Sequence, residues 1–395
     1  MRRPASRSPP GVRWRDPKRH EADLAPRRRT AAHIAILGTR GIPARYGGFE
    51  TFAEELSTRL VARGHRVTVY CRERYPEASY RGVQRVYLPT WRHKYFDTIV
   101  HTFFSTVHLI FHRADAALYC NGANAIFTLL PRWFGIPTLL NVDGLERKRK
   151  KWNRLAKAWY AMSEWLATFC PTVVITDARQ IETYYLERYG KRTRFIPYGA
   201  ETEKVETAEV LATLGLERGG YFLYVSRMEP ENNALLVRQA FEQLATPVKL
   251  ALVGDAPYAQ EYIERVRDTQ DRRVVIPGAI YGAGYHELLS HCLAYIHATE
   301  VGGTHPALIE AMGRGALVLY LNTPENAEVA GDAGIAFEAA DLRQRLAEVL
   351  SMPVGERVEW GRRAIGRVAE RYGWEAVTEQ YEALLANPRG ERQSR

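Results

Sequence analysis

The feature that most constrains the fold is an alternation of short apolar runs and longer amphipathic segments, which starts at residue 33, ends near residue 200 and restarts at residue 221. The apolar runs have the length and composition of buried strands, and the segments between them have helical periodicity. Such alternation places the strands side by side in a parallel sheet with helices on both faces. The sequence therefore predicts an α/β protein with two doubly wound parallel sheets. The predicted strands are 33–38, 66–71, 84–88, 115–120, 137–142, 172–176, 193–197, 221–226, 248–254, 273–278, 293–298 and 316–321, with helices near 49–64, 98–111, 123–133, 152–168 and 178–189.

The length of the chain also favours two domains, because 395 residues exceed what one hydrophobic core usually holds. We place the N-terminal domain at 31–205 and the C-terminal domain at 206–374. Ligands of such sheets bind beyond the carboxyl ends of the strands, so two facing sheets would present two such edges to one cleft. The chemistry is therefore expected in the loops that follow the strands.

The positive charge of the chain is concentrated at its start. The net charge is +10, and residues 1–30 hold ten Arg/Lys and three Asp/Glu, which leaves only +3 for the rest. This Arg- and Pro-rich tail has no apolar periodicity and is expected to be disordered. It also lacks the apolar region of a signal peptide. An electrostatic contact with anionic lipid or nucleic acid is one interpretation, and a dispensable extension is the other.

Cysteine usage and hydropathy favour a cytoplasmic protein without a membrane span. None of the four cysteines belongs to a CxxC motif, and each lies in an apolar context, so buried free thiols are expected. The longest apolar stretch, 98–111, is shorter than the roughly 20 residues that a spanning helix needs. The cysteines are Cys71, Cys120, Cys170 and Cys292.

Two loops after predicted strands suit an anionic ligand. The stretch "GTRGIPARYGGFE" at 38–50 has four glycines, two arginines and the start of a helix, whose amide groups favour anions. Its spacing is neither GxGxxG nor a Walker loop, and glycines that merely form a tight turn are the alternative. In "SRMEPENN" at 226–233, Arg227 is placed at a strand end to hold a phosphate, unless it belongs to a solvated charge cluster.

The third loop, "GGTHPALIE" at 302–310, combines a glycine pair with a carboxylate. Pro306 suits the first position of a helix, with Thr304 or His305 at the cap. The preceding amides would then face a ligand beyond the sheet, and Glu310, one turn into the helix, could accept hydrogen bonds from vicinal hydroxyls such as those of a ribose. This arrangement suits a nucleotide-sugar, and a plain helix cap with a dipole-compensating glutamate is the alternative.

Together with "IPYG" and "NAEVAGDAGIAF", these stretches resemble the retaining glycosyltransferases of family 4, which have the two-domain GT-B fold. The resemblance covers nearly the whole chain after about residue 32. The first motif, with "NVDGLERKRKKW" at 141–152, is similar to a bacterial subgroup that includes rhamnosyltransferases of surface-polysaccharide assembly. The resemblance further implies that the last helix, 375–390, crosses back onto the N-terminal domain.

The resemblance assigns roles to individual residues. It implies that Arg227 and the amides of two glycine pairs bind the donor diphosphate, that Glu310 holds the ribose and that Glu328 lies near the donor. On the acceptor side it points to Asp143, where the family often has a histidine, with Glu146 as the alternate. The donor-binding residues are thus Gly47, Gly48, Arg227, Gly302, Gly303, Thr304, Glu310 and Glu328, and the catalytic candidates are Asp143, Arg227 and Glu300.

Two positions depart from the family pattern. The family usually has a lysine five residues after the arginine, and this chain has Asn232. The family's first carboxylate is separated from the second by seven residues and would fall at Gly302, and Glu300 is the nearest substitute. These departures remove one positive charge and put the role of the first carboxylate in doubt.

The resemblance implies a cytoplasmic hexosyltransferase that moves a hexose or deoxyhexose, with rhamnose as one candidate, from a nucleotide-sugar to a glycan acceptor with retention. No DxD-like pair stands out, so an obligatory metal or other cofactor is not expected, and neither is a nucleic-acid partner. A nucleotide-sugar epimerase of the same fold and a non-catalytic nucleotide-sugar-binding protein are the alternatives. A nicotinamide oxidoreductase is disfavoured because neither half has the glycine spacing with an acid some 20 residues later.

A basic run beside aromatic residues favours an acceptor at a membrane. The stretch 145–154 carries six Arg/Lys, and 91–96 mixes charges with aromatics, a combination that suits an anionic membrane surface. A polyprenyl-diphosphate-linked acceptor would supply both lipid and anion, and a solvated face is the alternative. The residues proposed for this side are Glu146, Lys148, Arg149, Lys150, Lys151 and Trp152.

Overall fold

Two sheets organise the computed structural model, which describes residues 31–388 except 46, 92, 94–95, 149–152 and 257–258. The first sheet contains β1 (His33–Leu37), β2 (Arg66–Cys71), β3 (Ser79–Tyr80), β4 (Val83–Tyr87), β5 (Ala116–Cys120), β6 (Thr138–Asn141), β7 (Val173–Thr176) and β8 (Arg194–Phe195). The second contains β9 (Tyr221–Val225), β10 (Lys249–Val253), β11 (Val274–Gly278), β12 (Ala294–His297), β13 (Val318–Leu321) and β14 (Ile335–Phe337). The predicted tail at 1–30 lies outside the described residues.

The strand orders are β3-β4-β2-β1-β5-β6-β7-β8 and β11-β10-β9-β12-β13-β14. Every neighbouring pair is parallel except β3 with β4. In each sheet the first strand of the half lies in the interior, so the order reverses beside β1 and beside β9. At such a switch point the adjacent loops diverge and leave a crevice beyond the strand ends. The prediction of two doubly wound parallel sheets is therefore confirmed.

Helices cover both faces of the sheets. They are α1 (Gly48–Ala62), α2 (Asp97–His112), α3 (Leu129–Trp133), α4 (Arg154–Ala167), α5 (Arg179–Tyr189), α6 (Glu209–Thr213), α7 (Ala234–Glu242), α8 (Gln260–Arg267), α9 (Ala283–His291), α10 (Pro306–Gly313), α11 (Pro324–Ala330), α12 (Leu342–Ser351), α13 (Val354–Arg371) and α14 (Trp374–Ala386). Short 3₁₀ helices occupy Gly122–Thr128, Glu146–Lys148, Pro230–Asn232 and Gly331–Ala333. The predicted helix at 123–133 is thus a 3₁₀ segment followed by one α-helical turn.

The central strands are mostly apolar because helices bury both of their faces. All five residues of β5 and all four residues of β6, β12 and β13 are buried. The four cysteines are free thiols, three of them buried and Cys292 partly buried. The two strands that the sequence did not predict, β3 and β14, have only two and three residues, too few for a detectable pattern.

The last helix, α14, packs against α1 of the first half. Phe52 of α1 lies between Trp374 and Tyr381 of α14, with ring centroids 6.5 and 5.1 Å away. The Tyr381 hydroxyl also accepts a hydrogen bond from Asn141 Nδ2 at 3.0 Å. The chain thereby returns to the first sheet after completing the second. The limits of 31–205 and 206–374 for the two domains stay a prediction.

Candidate functional site

A cleft of about 1070 Å³ lies beyond the carboxyl ends of the strands, and both sheets contribute to its lining. Loops after β1 and β6 line it from the first sheet, and loops after β9, β10 and β12 line it from the second. Ligand pockets usually measure about 300–1,000 Å³, so the cleft has room for a large ligand and part of a second one. Of the residues predicted from the sequence, those that line it are Gly47, Gly48, Asp143, Glu146, Arg227, Gly302, Gly303, Thr304 and Glu310.

The glycine loop after β12 leads into α10 as the sequence predicts. His305 is the N-cap residue with extended backbone and makes no side-chain capping bond, and Pro306 is the first helical residue. The Thr304 amide donates to Asp177 Oδ2 at 2.9 Å, and the Thr304 hydroxyl donates to the main-chain oxygen of Asp177. Thr304 therefore binds the first sheet's loop in this structure, and its predicted contact with a donor phosphate stays a prediction.

Several glycines of the cleft let the two halves approach each other closely. A Cβ atom on Gly48 would lie 2.9 Å from Cγ of Pro306. A Cβ on Gly144 would lie 2.6 Å from the backbone of the Gly302–Gly303 peptide, and one on Gly303 would lie 2.6 Å from the carboxyl oxygens of Asp177. At separations under 3.0 Å a neighbouring atom must shift, and at Gly144 the neighbours are backbone atoms, so the close approach there requires glycine.

The carboxylate that the family resemblance leads us to expect at Gly302 would require the His305 ring to move. A Cβ atom at this position would lie 2.0 Å from Nε2 of His305, whose ring fills the space. Glu300, the predicted substitute, is exposed and lies outside the cleft lining. Its Oε1 accepts a hydrogen bond from Nδ2 of Asn233 at 3.1 Å. The catalytic role predicted for Glu300 stays a prediction.

Arg227 lies at the end of β9, and the Asn232 side chain binds its main chain. Its guanidinium is one-third exposed and 3.7 Å from Oε1 of Glu229. The Asn232 side chain donates to the main-chain oxygen of Arg227 at 2.6 Å, and the Asn232 main-chain oxygen accepts from the Tyr224 hydroxyl at 2.7 Å. The residue that replaces the family lysine thus fixes the backbone that carries the arginine instead of adding a second charge.

Glu310 lies one turn into α10, and its Oε2 accepts a hydrogen bond from the hydroxyl of Tyr285 on α9 at 2.5 Å. Burial raises the pKa of Glu310, and the bond from Tyr285 opposes that increase. A carboxylate at this position can accept hydrogen bonds from ligand hydroxyls in the cleft. The tyrosine therefore favours the form of Glu310 that can act as an acceptor.

Asp143 follows β6 with a left-handed backbone (φ 57°), and its amide donates to Oδ1 of Asn141 at 3.0 Å. Its side chain is hydrogen-bonded to that of Asp177, which is completely buried after β7. Burial and the nearby Asp143 carboxyl raise the pKa of Asp177 well above its ordinary value. This environment favours the protonated form of Asp177. Sequence reasoning missed Asp177, although its position at a strand end was the available signal.

Glu328 does not line the cleft. Its carboxylate, on α11, accepts from the amide of Arg179 at 3.0 and 3.1 Å, at the N-terminus of α5 in the first half of the chain. Burial raises the pKa of Glu328, and the amides of Arg179 and Gln180 oppose the increase. The predicted donor contact of Glu328 stays a prediction, while the structure gives this residue a contact between the two halves.

Part of the predicted acceptor side lies outside the described residues. Glu146 lines the cleft from the short 3₁₀ helix Glu146–Lys148, while the side chain of Lys148 and the residues Arg149, Lys150, Lys151 and Trp152 are not described. Within the described part of the chain, no helix is both long and apolar enough to span a membrane. The same residues contain no group of three or more His, Cys, Asp or Glu side chains that could hold a metal ion.

Two family models match the chain, one for each sheet. The model described as Glycosyltransferase Family 4 matches residues 46–204, and the model described as Glycosyl transferases group 1 matches residues 219–352. Together they span about three quarters of the chain. No curated protein sequence matches it.

Solved structures share the architecture at low sequence identity. Anabaena HepE in complex with UDP-glucose has a TM-score of 0.74 and 15% identity over 90% of this chain and 100% of that chain. Sucrose-phosphate synthase from Thermosynechococcus elongatus has a TM-score of 0.72 and 21% identity, covering 89% and 98%. WaaG, a glycosyltransferase involved in lipopolysaccharide biosynthesis, has a TM-score of 0.67 and 17% identity, covering 89% and 99%. These likenesses confirm the predicted fold.

Proposed function

From glycosyltransferase family domains in both halves of a GT-B fold, we propose that this chain transfers a sugar from a nucleotide-sugar to a glycan acceptor with retention. The transferred sugar is a hexose or deoxyhexose, with rhamnose as one candidate. The observation that carries the proposal is the composition of the cleft. A cationic side chain, Arg227, and a carboxylate, Glu310, line it from the second half, while Asp143 and a glycine pair at a helix start line it from the first half. Such a site offers partners for phosphate, ribose and a second substrate.

The donor is proposed to lie along the second half, with its ribose on Glu310 and its diphosphate near Arg227. The amides that precede α10 and those of Gly47 and Gly48 at the start of α1 add partial positive charge. As the bond between sugar carbon and phosphate oxygen breaks, negative charge grows on the diphosphate. These groups therefore stabilise the transition state more than the ground state.

Retention follows if the acceptor hydroxyl attacks from the face that the diphosphate leaves. The new bond joins the acceptor oxygen to the sugar carbon, the old bond to the phosphate oxygen breaks, and the leaving phosphate takes the hydroxyl proton. No strong protein base is needed in this scheme. Asp143 is proposed to orient the acceptor hydroxyl by a hydrogen bond.

A thermal-shift panel of nucleoside diphosphates and their sugars tests the donor site, because a ligand that prefers the native state raises its melting temperature. UDP comes first, since Anabaena HepE was crystallised with UDP-glucose. We expect a shift with one diphosphate that is lost in Arg227→Ala and Glu310→Ala and kept in Arg371→Ala, a matched arginine change at an exposed site. The absence of any shift would contradict the proposal.

Product analysis with the diphosphate-sugar that binds separates the three activities. A transferase leaves the sugar on the acceptor with its anomeric configuration retained, and turnover in Arg227→Ala should fall by about two to three orders of magnitude. Conversion of the nucleotide-sugar without acceptor would instead indicate an epimerase. Binding without either reaction would indicate a non-catalytic protein.

We further propose that the acceptor is lipid-linked, as in surface-polysaccharide assembly, and that the protein binds peripherally to the inner face of the plasma membrane. Residues 97–169 contain nine Arg/Lys and five Asp/Glu. The helices α2, α3 and α4 of this segment, packed around the 3₁₀ helix Gly122–Thr128, expose a set of large aromatic side chains. Basic and aromatic residues on one segment suit an anionic membrane surface. The exposed aromatics are Phe103, Phe104, Phe111, Trp133, Phe134, Trp165 and, just beyond α4, Phe169.

Co-sedimentation with vesicles containing about one-third anionic lipid tests the membrane proposal. The chain lacking residues 1–30 should still bind, since the proposed surface lies elsewhere. Trp133→Ser combined with Trp165→Ser should reduce the bound fraction several-fold. The matched change of two exposed valines on α13, Val354→Ser with Val358→Ser, should leave binding intact. Equal binding by both double variants would overturn the proposal, as would loss of all binding with the tail.

A further inference from the structure

The segment that follows β7 binds the second half of the chain through a buried acid. Asp177 is fully buried, and its carboxyl accepts the Thr304 amide while its main-chain oxygen accepts the Thr304 hydroxyl. The Gly303 backbone lies directly against the same carboxyl group. One acid of the first half thus holds the glycine loop of the second half by three contacts.

Two residues further on, the direction of the interaction is reversed. The carboxylate of Glu328, from the second half, accepts the Arg179 amide at the first turn of α5. The main-chain oxygen of Glu328 is itself held by Arg367 Nη2 at 2.7 Å and by the Tyr372 hydroxyl at 3.3 Å. Each half therefore supplies one carboxyl group and receives the other on backbone amides.

Within the second half, the glycine loop and α11 are joined, so the two contacts cannot shift independently. His305 Nδ1 is 3.0 Å from Oδ1 of Asn326 on α11, and the Asn326 side chain also donates to the main-chain oxygens of Thr299 and Leu321. Asn326 is completely buried. It links the loop before α10 to the helix that carries Glu328.

From this geometry we propose that Asp177 and Glu328 are positioning residues that form one reciprocal lock, which brings the first half's Asp143 and the second half's glycine loop into register for the reaction. The inference deepens the proposed function and rests on it for the roles of Asp143 and the loop. Neither positioning residue needs to touch a substrate. Their contribution is to hold the two halves of the cleft in the closed arrangement.

The lock should depend on pH, because burial and the Asp143 carboxyl favour the protonated form of Asp177. Burial and the Asp143 carboxyl raise the pKa of Asp177, whereas opening would return it towards its ordinary value of 3.8. The contribution of the protonated acid to closure is thus complete below that value and is lost as pH rises through the raised pKa. The other titratable groups that interact with Asp177 are the phenols of Tyr198 and Tyr381, whose pKa values burial raises, so they stay neutral in this range.

Hydrogen exchange of the full chain without substrate tests the lock, with peptides that cover 177–182 and 300–306 as reporters. Asp177→Ala removes the acceptor of the Thr304 amide directly, and Glu328→Ala removes that of the Arg179 amide. If the two contacts form one lock, each variant should also speed exchange of the other amide, by about tenfold for the loss of one charge-assisted bond. If each variant affects only the amide that its own side chain accepts, the two are separate local caps and the proposal fails.

The conservative variant Asp177→Asn tests whether protonation of Asp177 sets the pH dependence. Its amide can donate to Asp143 and its oxygen can accept from Thr304, as the protonated acid does. Protection of 300–306 should therefore be kept, and its decline with rising pH, after correction for intrinsic exchange, should disappear. A decline equal to that of the natural chain would refute the role of Asp177 protonation. Asp332→Asn, at a side chain that is 97% exposed, is the matched control.

Exchange is measured without donor or acceptor, so its outcome is independent of the proposed transferase activity. If no nucleotide raises the melting temperature but each variant still speeds exchange of the other amide, the proposed function fails and the lock stands. If a nucleotide raises the melting temperature but the two amides respond separately, the lock fails and the proposed function stands.

Discussion

At the scale of single residues, the pair of Glu310 and Tyr285 makes a specific prediction about ligand affinity. Tyr285→Phe removes the hydroxyl that stabilises the Glu310 carboxylate, so burial should raise the pKa of Glu310 further. A carboxylate with a raised pKa loses its charge as pH falls through that value, and in the variant this loss should begin at higher pH. Affinity for the nucleoside diphosphate that binds should therefore weaken about five- to tenfold near pH 5.5 and little at pH 8, a difference set by one charge-assisted hydrogen bond.

Calorimetric titration at both pH values measures this effect. Tyr87→Phe, at an exposed tyrosine of β4, should bind as the natural chain does at each pH. A uniform loss of affinity at both pH values would show that Tyr285 contributes packing alone, and the role of Glu310 as a charged acceptor would then lose its support.

The residues that could be predicted from the sequence are those whose position follows from strand ends. Arg227, Asp143 and Glu310 follow β9, β6 and β12, and a rule based on strand ends places all of them in the cleft. Asp177 meets the same rule after β7, yet its partner Thr304 is 127 residues away, and no local pattern reveals such a contact. The space at Gly302 is filled by the His305 ring, which is only three residues away, but the direction of that ring depends on the backbone of the loop and cannot be read from the sequence.

At the scale of elements, the loops that meet across the cleft are packed so closely that a single added methyl group is expected to prevent closure. Gly144→Ala would place a methyl group 2.6 Å from backbone atoms of the opposite loop, where no side-chain rotation can relieve the contact. Each half should stay folded, because the clash arises only when the halves meet. Turnover should fall by about 100-fold, the usual cost of displacing catalytic groups by about 1 Å.

Transfer rates and small-angle scattering together test this prediction. Gly355→Ala is the matched control, since nothing lies within 4 Å of its added Cβ and alanine is favoured over glycine within a helix. Turnover at the natural rate with an unchanged radius of gyration in Gly144→Ala would mean that the loops adjust and that close approach is not required.

The element boundaries show which features of the fold are local. Long apolar strands such as β9 and β10 were predictable because burial on both faces makes every position apolar. The 3₁₀ segment at Gly122–Thr128 was predicted as helix because its apolar spacing resembles one, but Asn121, with φ at 75°, caps a tighter turn through its side chain. Local hydrogen bonds of this kind decide helix type without changing the hydrophobic pattern.

At the scale of the whole molecule, α14 couples the end of the chain to the cleft through α1, whose first residue is Gly48. The buried Glu382 of α14 accepts from Arg63 Nη1 at 2.7 Å and lies 3.0 Å from Nε2 of His65. The same arginine also binds Glu375 at 2.6 Å, but that side chain is 81% exposed. One cation thus has a buried and an exposed carboxylate partner.

These two partners should differ in their contribution to stability. Glu382→Gln removes the buried carboxylate that accepts from Arg63 and lies beside His65, so it should lower the free energy of unfolding by about 1–3 kcal/mol, while Glu375→Gln at the exposed position should cost about 0–1 kcal/mol. Urea unfolding with linear extrapolation measures both. Equal and small losses would mean that α14 is held by its aromatic contacts with Phe52 alone. A large loss confined to Glu382→Gln, accompanied by weaker nucleotide binding, would establish that α14 supports the cleft. The link is α1, which begins at Gly48 in the cleft and ends directly before Arg63, the partner of Glu382.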